Sequence, residues 1–362
     1  MDDRAVEAAR RIATDVLRPT AEATDQSSAV PAGHLALLAE AGLFGLSAPR
    51  SHGGAGALAA EIRAVHRVLG GACGATSFVW AQHQSPVTLL ANTPNTALRD
   101  EWLPRLCRGD VVGGSAFAHL RRPGPPAVLA TPDDDGWRLD GEAPWASSWG
   151  RAGVYAVAAF TGDGDVLWCL VDGKEQRGFS VSDPLSLAVM QATATVRMRF
   201  DGFPVGEERV LLLLPPDLWW SIDDVTATRL DPAVLGVVDT ALELLRLAEG
   251  TGGLAEDVAE ALAGELTACA SHAEALAGSA DGGSADLAAL ARSRSWGLDL
   301  AQRATAALLA TAGGSGIELG DPAQRLVREA AFYSVQAQTG PGRDATLRRM
   351  LQPTAPSLAA TG

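Results

Sequence analysis

The fold is decided by residues 137–149, which read Trp-Arg-Leu-Asp-Gly-Glu-Ala-Pro-Trp-Ala-Ser-Ser-Trp. The dipeptide Asp140-Gly141 suits a type I′ turn, so the stretch predicts a β-hairpin. That hairpin delivers the indole of Trp145 and the hydroxyls of Ser147 and Ser148 to the end of a strand. An aromatic plane beside small polar groups suits a flat heteroaromatic ligand, but aromatic residues also favour strands for packing alone. The stretch by itself leaves both interpretations open.

Short and alternating apolar runs continue around this stretch from residue 111 to about residue 214. Two of them flank Thr161-Gly-Asp-Gly-Asp165, which is typical of a second hairpin. In Val196-Arg-Met-Arg-Phe200, the apolar side chains share one face of a strand and the arginines share the other. We therefore expect a middle β domain that is barrel-like, closed or nearly closed.

Helical periodicity lies on both sides of the predicted β domain. The chain before residue 111 carries apolar residues at helical spacing, which predicts an N-terminal helical domain. After residue 222, four long helical segments with short connections predict a C-terminal antiparallel four-helix bundle, with Asp231-Pro232 starting its first helix and Gly340-Pro341 ending its last. The expected divisions of this α+β multidomain chain are residues 1–110, 111–222, 223–351 and a flexible tail, 352–362.

Composition limits the classes of function. The 362 residues carry a net charge of −14, which argues against nucleic-acid partners and anionic membrane surfaces. No apolar run approaches the roughly 20 residues that span a bilayer, and the charged N-terminus is unlike a signal peptide. The widely spaced cysteines predict neither a metal site nor a disulfide framework, so we expect reduced thiols and a cytoplasmic protein. These cysteines are Cys73, Cys107, Cys169 and Cys269.

Several motifs occur in an order that points to a known family. Residues 42–56 end in Gly-Gly-Ala-Gly, and residues 102–109 read Trp-Leu-Pro-Arg-Leu-Cys-Arg-Gly ahead of the β domain. Residues 139–148, the glycine-rich run 312–316 and the run Arg-Leu-Val-Arg-Glu-Ala at 325–330 follow. In this order and spacing, the motifs resemble the acyl-CoA dehydrogenase superfamily along nearly the whole chain.

The resemblance implies FAD, held between the β domain and the bundle. By this analogy, Trp145 lies against the isoalloxazine, and Ser147 forms a hydrogen bond near its reactive nitrogen. The backbone from Ala118 to Leu120 would hold the pyrimidine edge of the flavin. The family's threonine-glutamate-proline run reads His119-Leu-Arg-Arg-Pro123 here, so this chain departs from the family at that place.

The same analogy implies a cofactor shared between subunits, and hence a homodimer or homotetramer. Gly313 and Gly314 would approach the adenosine half of a cofactor bound to the neighbouring subunit, and Thr339 would lie near the diphosphate. Glycine allows backbone to approach a phosphate-rich ligand closely. A helix–helix turn in which only glycine fits remains the alternative for this pair.

The position of the catalytic base is the main departure from the family. Its members usually remove the proton beside a thioester carbonyl with a carboxylate in the last bundle helix, which aligns here with Ala337. An alanine cannot accept a proton. A second known placement, near the start of the first bundle helix, offers Asp224 as a candidate base, with a solvated loop acid as the alternative. Asp231 in the same region is interpreted as a helix cap.

Two further residues are candidate substrate contacts. His119 is placed near the flavin, where it would orient a substrate or stabilise a charged intermediate, and Arg229 would meet a substrate oxygen. The alternatives are a polar loop histidine and a surface arginine. His66 and His83 lie within helical runs and are interpreted as packing or surface residues. No metal ligand set is expected.

The leading hypothesis is an FAD-dependent oxidoreductase that oxidises an acyl thioester, carried on coenzyme A or a carrier protein, or a related specialised substrate in biosynthesis. The first alternative is a flavin-dependent monooxygenase of the same fold, because oxygen activation at reduced flavin does not need the carboxylate missing at Ala337. The second is a non-catalytic subunit of a heteromeric acyl-CoA dehydrogenase.

Overall fold

The computed structural model describes residues 4–248, 250–251 and 253–351, so the predicted flexible tail lies outside the described residues. Its N-terminal part is helical, as the sequence predicts, and an irregular helical segment at 13–20 joins its first two helices. The helices are α1 (Arg4–Ile12), α2 (Ala21–Asp25), α3 (Ala32–Glu40), α4 (Ala59–Ala72), α5 (Gly74–Asn92) and α6 (Thr96–Arg108).

The middle of the chain forms an eight-stranded mixed sheet. Its strands are β1 (Val112–Ala116), β2 (Val128–Asp133), β3 (Gly136–Ala146), β4 (Ala152–Thr161), β5 (Val166–Asp172), β6 (Phe179–Val181), β7 (Val196–Gly206) and β8 (Val210–Leu214). Hydrogen bonding runs in the order β6-β7-β3-β2-β4-β5-β8, and β1 pairs with β4 in parallel. Among the described strands, β8 does not pair back to β6, so the sheet is not closed by hydrogen bonds.

The prediction that the hairpin turns at Asp140-Gly141 is wrong. β3 runs through both residues, and the hairpin turn lies instead between Asp133 and Gly136, which face each other at the ends of β2 and β3. Gly141 is part of a register shift between β3 and β7, with φ of 119°. A Cβ there would lie 2.1 Å from the carbonyl oxygen of Ala127, so the glycine serves a bulge inside a long strand.

Two other strand predictions are confirmed. β4 and β5 pair antiparallel on either side of the 161–165 turn. In β7, the side chains of Val196, Met198 and Phe200 are buried, and the arginines between them are exposed, as period-two alternation requires.

The C-terminal part is the predicted helical bundle with an additional helix at each end. Its helices are α7 (Pro216–Thr228), α8 (Pro232–Arg246), α9 (Leu254–Asp281), α10 (Leu287–Ala312), α11 (Pro322–Val335) and α12 (Gly340–Met350). Gly340-Pro341 begins α12 instead of ending a helix, because the Thr339 side chain caps the new helix by accepting a bond from the Gly342 amide.

Helices α4 and α8 cross at very close range. A Cβ on Gly236 would lie 2.0 Å from the carbonyl oxygen of Arg67, and a Cβ on Gly70 would lie 2.4 Å from the Cβ of Ala233. The Arg67 guanidinium also binds both carboxylate oxygens of Asp239, at 2.6 and 2.8 Å. This contact fixes the middle of α4 against the first turn of α8.

Buried apolar side chains form four clusters, and each contains one cysteine. Cys73 lies in the N-terminal helical core and Cys107 between α6 and the sheet. Cys169 lies in the sheet core and Cys269 in the bundle. All four are free thiols, and burial raises the pKa of Cys107 and Cys269 to about 11 and that of Cys169 to about 12.

Candidate active site

Trp145 presents an open aromatic face at the end of β3. Its side chain is 50% exposed, whereas its neighbours Ala143 and Ala146 are completely buried. A large apolar side chain exposed beside a buried strand end is a surface available to a flat ligand. The structure therefore puts Trp145 where the sequence predicted, with its ring not used for packing in the sheet core.

Ser147 begins a buried chain of hydroxyl groups. Its Oγ lies 2.7 Å from Thr195 Oγ1, which lies 2.9 Å from Thr193 Oγ1. Thr193 donates its single proton to the Met190 carbonyl oxygen at 2.7 Å. Thr195 must therefore donate to Thr193, and Ser147 to Thr195. The Ser147 oxygen keeps only its capacity to accept a hydrogen bond.

Three predicted site residues lie in the turn of residues 118–121, and they differ in exposure and contacts. Ala118 is exposed, whereas Leu120 is 2% exposed and packs in the core between α6 and the sheet. His119 is also buried, and its Nε2–H donates to the carbonyl oxygen of Ala158 at 2.9 Å. Burial lowers the pKa of His119 to about 4. This geometry does not support the predicted contact between His119 and a substrate.

The adjacent acids Asp223 and Asp224 face different surroundings. Asp223 is buried and binds the Arg121 guanidinium through both oxygens, at 2.7 and 2.8 Å, which ties α7 to the 118–121 turn. Asp224 is exposed and lines a cavity of about 590 Å³ that also contains Thr339. The predicted base therefore lies in the same cavity as the residue predicted to bind the diphosphate.

A second cavity, of about 280 Å³, lies between α4, the start of α8 and the segment after α11. Its wall includes Ala337, the position where the family resemblance expects a carboxylate, and Arg229, a predicted substrate contact. Asp224 is not part of this wall, whereas Asp231 and His66 are. The sequence predicted Asp231 as a helix cap and His66 as a packing or surface residue, so it missed the two groups in this cavity that can exchange a proton.

Asp231 both caps α8 and faces His66. Its Oδ1 accepts the Ala233 amide at 2.9 Å, which confirms the predicted cap, and lies 3.5 Å from His66 Nδ1. The two side chains are 18% and 15% exposed. The pair forms only through the α4–α8 crossing, because 164 residues separate its members along the chain. No local sequence signal identifies it.

Arg294 holds the wall of this cavity together. Its guanidinium donates to the carbonyl oxygens of Ala227 and Arg229 at 3.0 and 3.3 Å, and to that of Gln336. These carbonyls end α7 and α11, where a positive charge is favoured by both helix dipoles. Ala337 follows with φ of 49°, so the chain turns away at the cavity wall. Burial lowers the pKa of Arg294.

Gly313 and Gly314 follow α10 on the surface. A Cβ on either residue would meet no atom of this chain within 4 Å. Gly313 has φ of 60° and ψ of −136°, a conformation that favours glycine. The turn therefore explains Gly313, whereas neither the turn nor packing within the chain explains Gly314.

Comparison with known proteins identifies the fold of this chain. Residues 2–110 match the family model for the acyl-CoA dehydrogenase N-terminal domain. The chain superposes on butyryl-CoA dehydrogenase from Megasphaera elsdenii with a TM-score of 0.82 and 17% identity, over 97% of this chain and 99% of that one. The chain therefore has the fold of the acyl-CoA dehydrogenase superfamily. Its three-part order of helices, sheet and helices is the fold of that superfamily.

The relatives of this chain differ in the reaction they are named for. Benzylmalonyl-CoA dehydrogenase from Aromatoleum aromaticum is 28% identical over 202 residues, which cover 53% of this chain and 52% of that protein. The oxygenase component of an FADH2-dependent resorcinol hydroxylase from Rhizobium is 32% identical over 133 residues, covering 37% and 30%. Because these matches span about half or less of the relatives, they do not decide between dehydrogenase and oxygenase.

Within the described residues, no three His, Cys, Asp or Glu side chains are grouped so as to hold a metal ion. None of the described helices is long and apolar enough to cross a membrane.

Proposed function

We propose that this protein is an FAD-dependent oxidoreductase that oxidises an acyl thioester or a related specialised substrate. The observation that carries the proposal is the open face of Trp145 beside the acceptor-only hydroxyl of Ser147. An exposed indole offers a stacking surface for an isoalloxazine, and the Ser147 oxygen offers a hydrogen-bond acceptor at its edge. The match of residues 2–110 to the acyl-CoA dehydrogenase N-terminal domain and the shared fold support the same cofactor.

The residues around the larger cavity fit the polar half of FAD. Thr339 lies in its wall with Arg292 and Arg348, and neither arginine forms an ion pair among the described residues. Two unpaired guanidinium groups favour a diphosphate, although Asp224 and Asp344 in the same wall reduce the positive potential. Gly314 leaves room for close approach from outside the chain, which suits a site completed by a second subunit. When bound, FAD supplies the acceptor for a hydride.

The smaller cavity is proposed to hold the reacting end of the substrate. Arg229 lies in its wall and would contact a substrate oxygen, as the sequence predicts. Ala337 and Gln336 have no group that takes up a proton, so the segment after α11 only shapes the space. Asp224 lies outside this wall, which does not support its predicted role as the base.

The test of the cofactor is the visible spectrum of the purified protein, with and without added FAD. We expect flavin bands that co-elute with the chain. Trp145→Ala should weaken FAD binding by about 5- to 150-fold, the loss of roughly 1–3 kcal/mol of stacking. Trp145→Phe, which keeps an aromatic face, should retain most of the binding.

A colourless protein that takes up no FAD would contradict the proposal and favour a non-catalytic subunit of a heteromeric enzyme. Such a subunit would co-purify with a homologous chain from its native source. The same preparation would report the assembly state, for which we propose a homodimer or homotetramer. Four buried reduced thiols are compatible with the cytoplasmic location expected from the sequence.

A flavin-dependent monooxygenase is the second candidate. One observation favours it, namely that the run Gln336-Ala-Gln338 brings no carboxylate to the smaller cavity. The similarity to a hydroxylase oxygenase component, and to the fold of dibenzothiophene monooxygenase from Paenibacillus at a TM-score of 0.79, is compatible with it. Incorporation of ¹⁸O from labelled oxygen gas, dependent on a separate flavin reductase, would identify this activity. Thioester-dependent flavin reduction without oxygen would exclude it.

A further inference from the structure

A histidine–aspartate pair occupies the smaller cavity, where the loop after α11 provides no base. We propose that His66, positioned by Asp231, is the group that accepts the substrate proton in this protein. The proposal rests on the function proposed above, because it requires a substrate with an acidic C–H bond in the cavity. Both side chains line that cavity, and their Nδ1 and Oδ1 atoms are 3.5 Å apart.

The aspartate determines which imidazole nitrogen is free. A carboxylate beside Nδ1 favours the tautomer that carries its proton there, and Nε2 then keeps its lone pair. The 3.5 Å between Nδ1 and Oδ1 is an ion-pair contact rather than a hydrogen bond, and the His66 side chain forms no hydrogen bond within the part of the chain that the structure describes. The ring also packs on Trp80, with 5.4 Å between centroids, which limits its rotation. The His66 ring is therefore held in one orientation, and its Nε2 can accept a proton.

Asp231 is itself held in place. Its bond from the Ala233 amide anchors the carboxylate at the N-terminus of α8, where the helix dipole favours a negative charge. The glycine contacts between α4 and α8 then fix the distance from this carboxylate to His66. Asp231 acts as a positioning residue, and apo separations of this kind shorten when a substrate binds.

The other histidines differ from His66. Both ring nitrogens of His34 lie within hydrogen-bonding distance of threonine hydroxyls. His83 accepts the Gly113 amide in a fully buried site, and His119 donates to a backbone carbonyl. His52 also has a carboxylate neighbour, Asp100, but this pair is on the surface. His66 alone among the six lines the cavity that contains Ala337.

The proton step is complete within the cavity. His66 Nε2 forms a bond to the hydrogen on the carbon next to the thioester carbonyl, and that C–H bond breaks. Its electron pair moves onto the carbonyl oxygen as an enolate, and return of a solvent proton from the imidazolium reverses the step. Arg229 and Arg294 line the same cavity, so their positive charges favour an enolate there. Both guanidinium groups already have partners, Asp281 for Arg229 at 2.7 Å and backbone carbonyls for Arg294, so they act through their charge and not as free donors.

The first experiment measures the tautomer of His66 without requiring any catalytic turnover. In the FAD-bound protein labelled with ¹⁵N-histidine, the imidazole nitrogen shifts of His66, assigned with His66→Gln, should show a neutral ring protonated on Nδ1. Asp231→Asn keeps the helix cap, since asparagine caps as well as aspartate, and should reduce that tautomer preference. A wild-type His66 with its proton on Nε2 would overturn the proposal.

The second experiment measures the proton step alone. Acyl-CoA thioesters, beginning with butyryl-CoA, are incubated with the holoenzyme in ²H₂O, and deuterium uptake next to the carbonyl is followed by mass spectrometry. His66→Gln should slow uptake by about 10²- to 10⁴-fold, and Asp231→Asn by a smaller factor. His52→Gln and Asp100→Asn, the matched surface pair, should leave uptake unchanged.

The outcomes separate the two proposals. Uptake and flavin reduction that persist in folded His66→Gln would overturn the role of His66 and leave the oxidoreductase standing. A wild-type holoenzyme that neither exchanges nor oxidises any thioester would overturn the thioester function and, with it, the role of His66 as its base. Loss of uptake in His66→Gln with FAD still bound supports both.

Discussion

His66 on α4 and His119 in the turn after β1 show two uses of the same side chain. His119 is 3% exposed, and its Nε2–H is taken up by a backbone carbonyl, so it stabilises the sheet end. His66 lines a cavity and has a carboxylate beside one nitrogen. The position of a histidine in a loop or a helix does not decide its role; the partners of its two nitrogens do.

The largest expected effect, and the strongest test of this comparison, is the loss of stability when His119 is replaced. His119→Ala removes a buried ring and leaves the carbonyl oxygen of Ala158 without its donor, so the free energy of unfolding should fall by about 2–4 kcal/mol. Urea denaturation measures this loss. FAD binding and turnover per bound flavin should survive in the folded fraction, and their disappearance would return His119 to the substrate site.

A second prediction uses pH. The pKa of His119 is about 4 in the folded protein and roughly 6.5 in an unfolded chain. Between these values, the unfolded chain takes up a proton that the folded protein does not, so stability falls as the pH decreases through this window. The contribution is about 2 kcal/mol between pH 7 and pH 5.

Comparing wild type with His119→Gln isolates that contribution. The variant does not titrate there, and its unfolding free energy should depend less on pH by about that amount. His83, whose pKa is lowered to about 3 by burial, remains in both proteins and cancels in the difference. Identical pH dependence of the two proteins would show that His119 is protonated equally in both states.

The smallest expected effect is a difference in stability between two variants of Asp231, which separates its role as a cap from its role beside His66. Asp231→Ala removes both the cap and the charge, whereas Asp231→Asn removes only the charge. Thermal unfolding should show Asp231→Ala less stable than Asp231→Asn by about 1 kcal/mol. If both variants lose deuterium uptake equally despite this difference, uptake follows the charge beside His66. If uptake instead follows stability, Asp231 is only a cap.

The sequence predicted much of the fold because local signals agreed with it. The pair Asp231-Pro232 predicted the start of α8, and alternation predicted the faces of β7. It failed where one signal has two meanings. Asp140-Gly141 matches both a hairpin turn and a strand bulge, and Gly340-Pro341 can end a helix or begin one. Only long-range packing selects between these.

The candidate site was less predictable for the same reason. Trp145 and Ser147 are neighbours in the sequence, and the motif around them was sufficient to single them out. The His66–Asp231 pair depends on two helices that meet through Gly70 and Gly236, and no pattern within either helix reports that contact. His119 was selected for its place in a motif, but its hydrogen bond was not visible without the fold.

The four buried thiols give the molecule a built-in set of reporters. Each of its four apolar clusters contains one cysteine, so a thiol reagent reaches each only when that part of the core opens. Because the thiols are buried and protonated, their labelling rates follow local opening instead of intrinsic reactivity. Mass spectrometry of the labelled peptides would then rank the helical domain, the interdomain layer, the sheet and the bundle by the order in which they open. No engineered probe is needed.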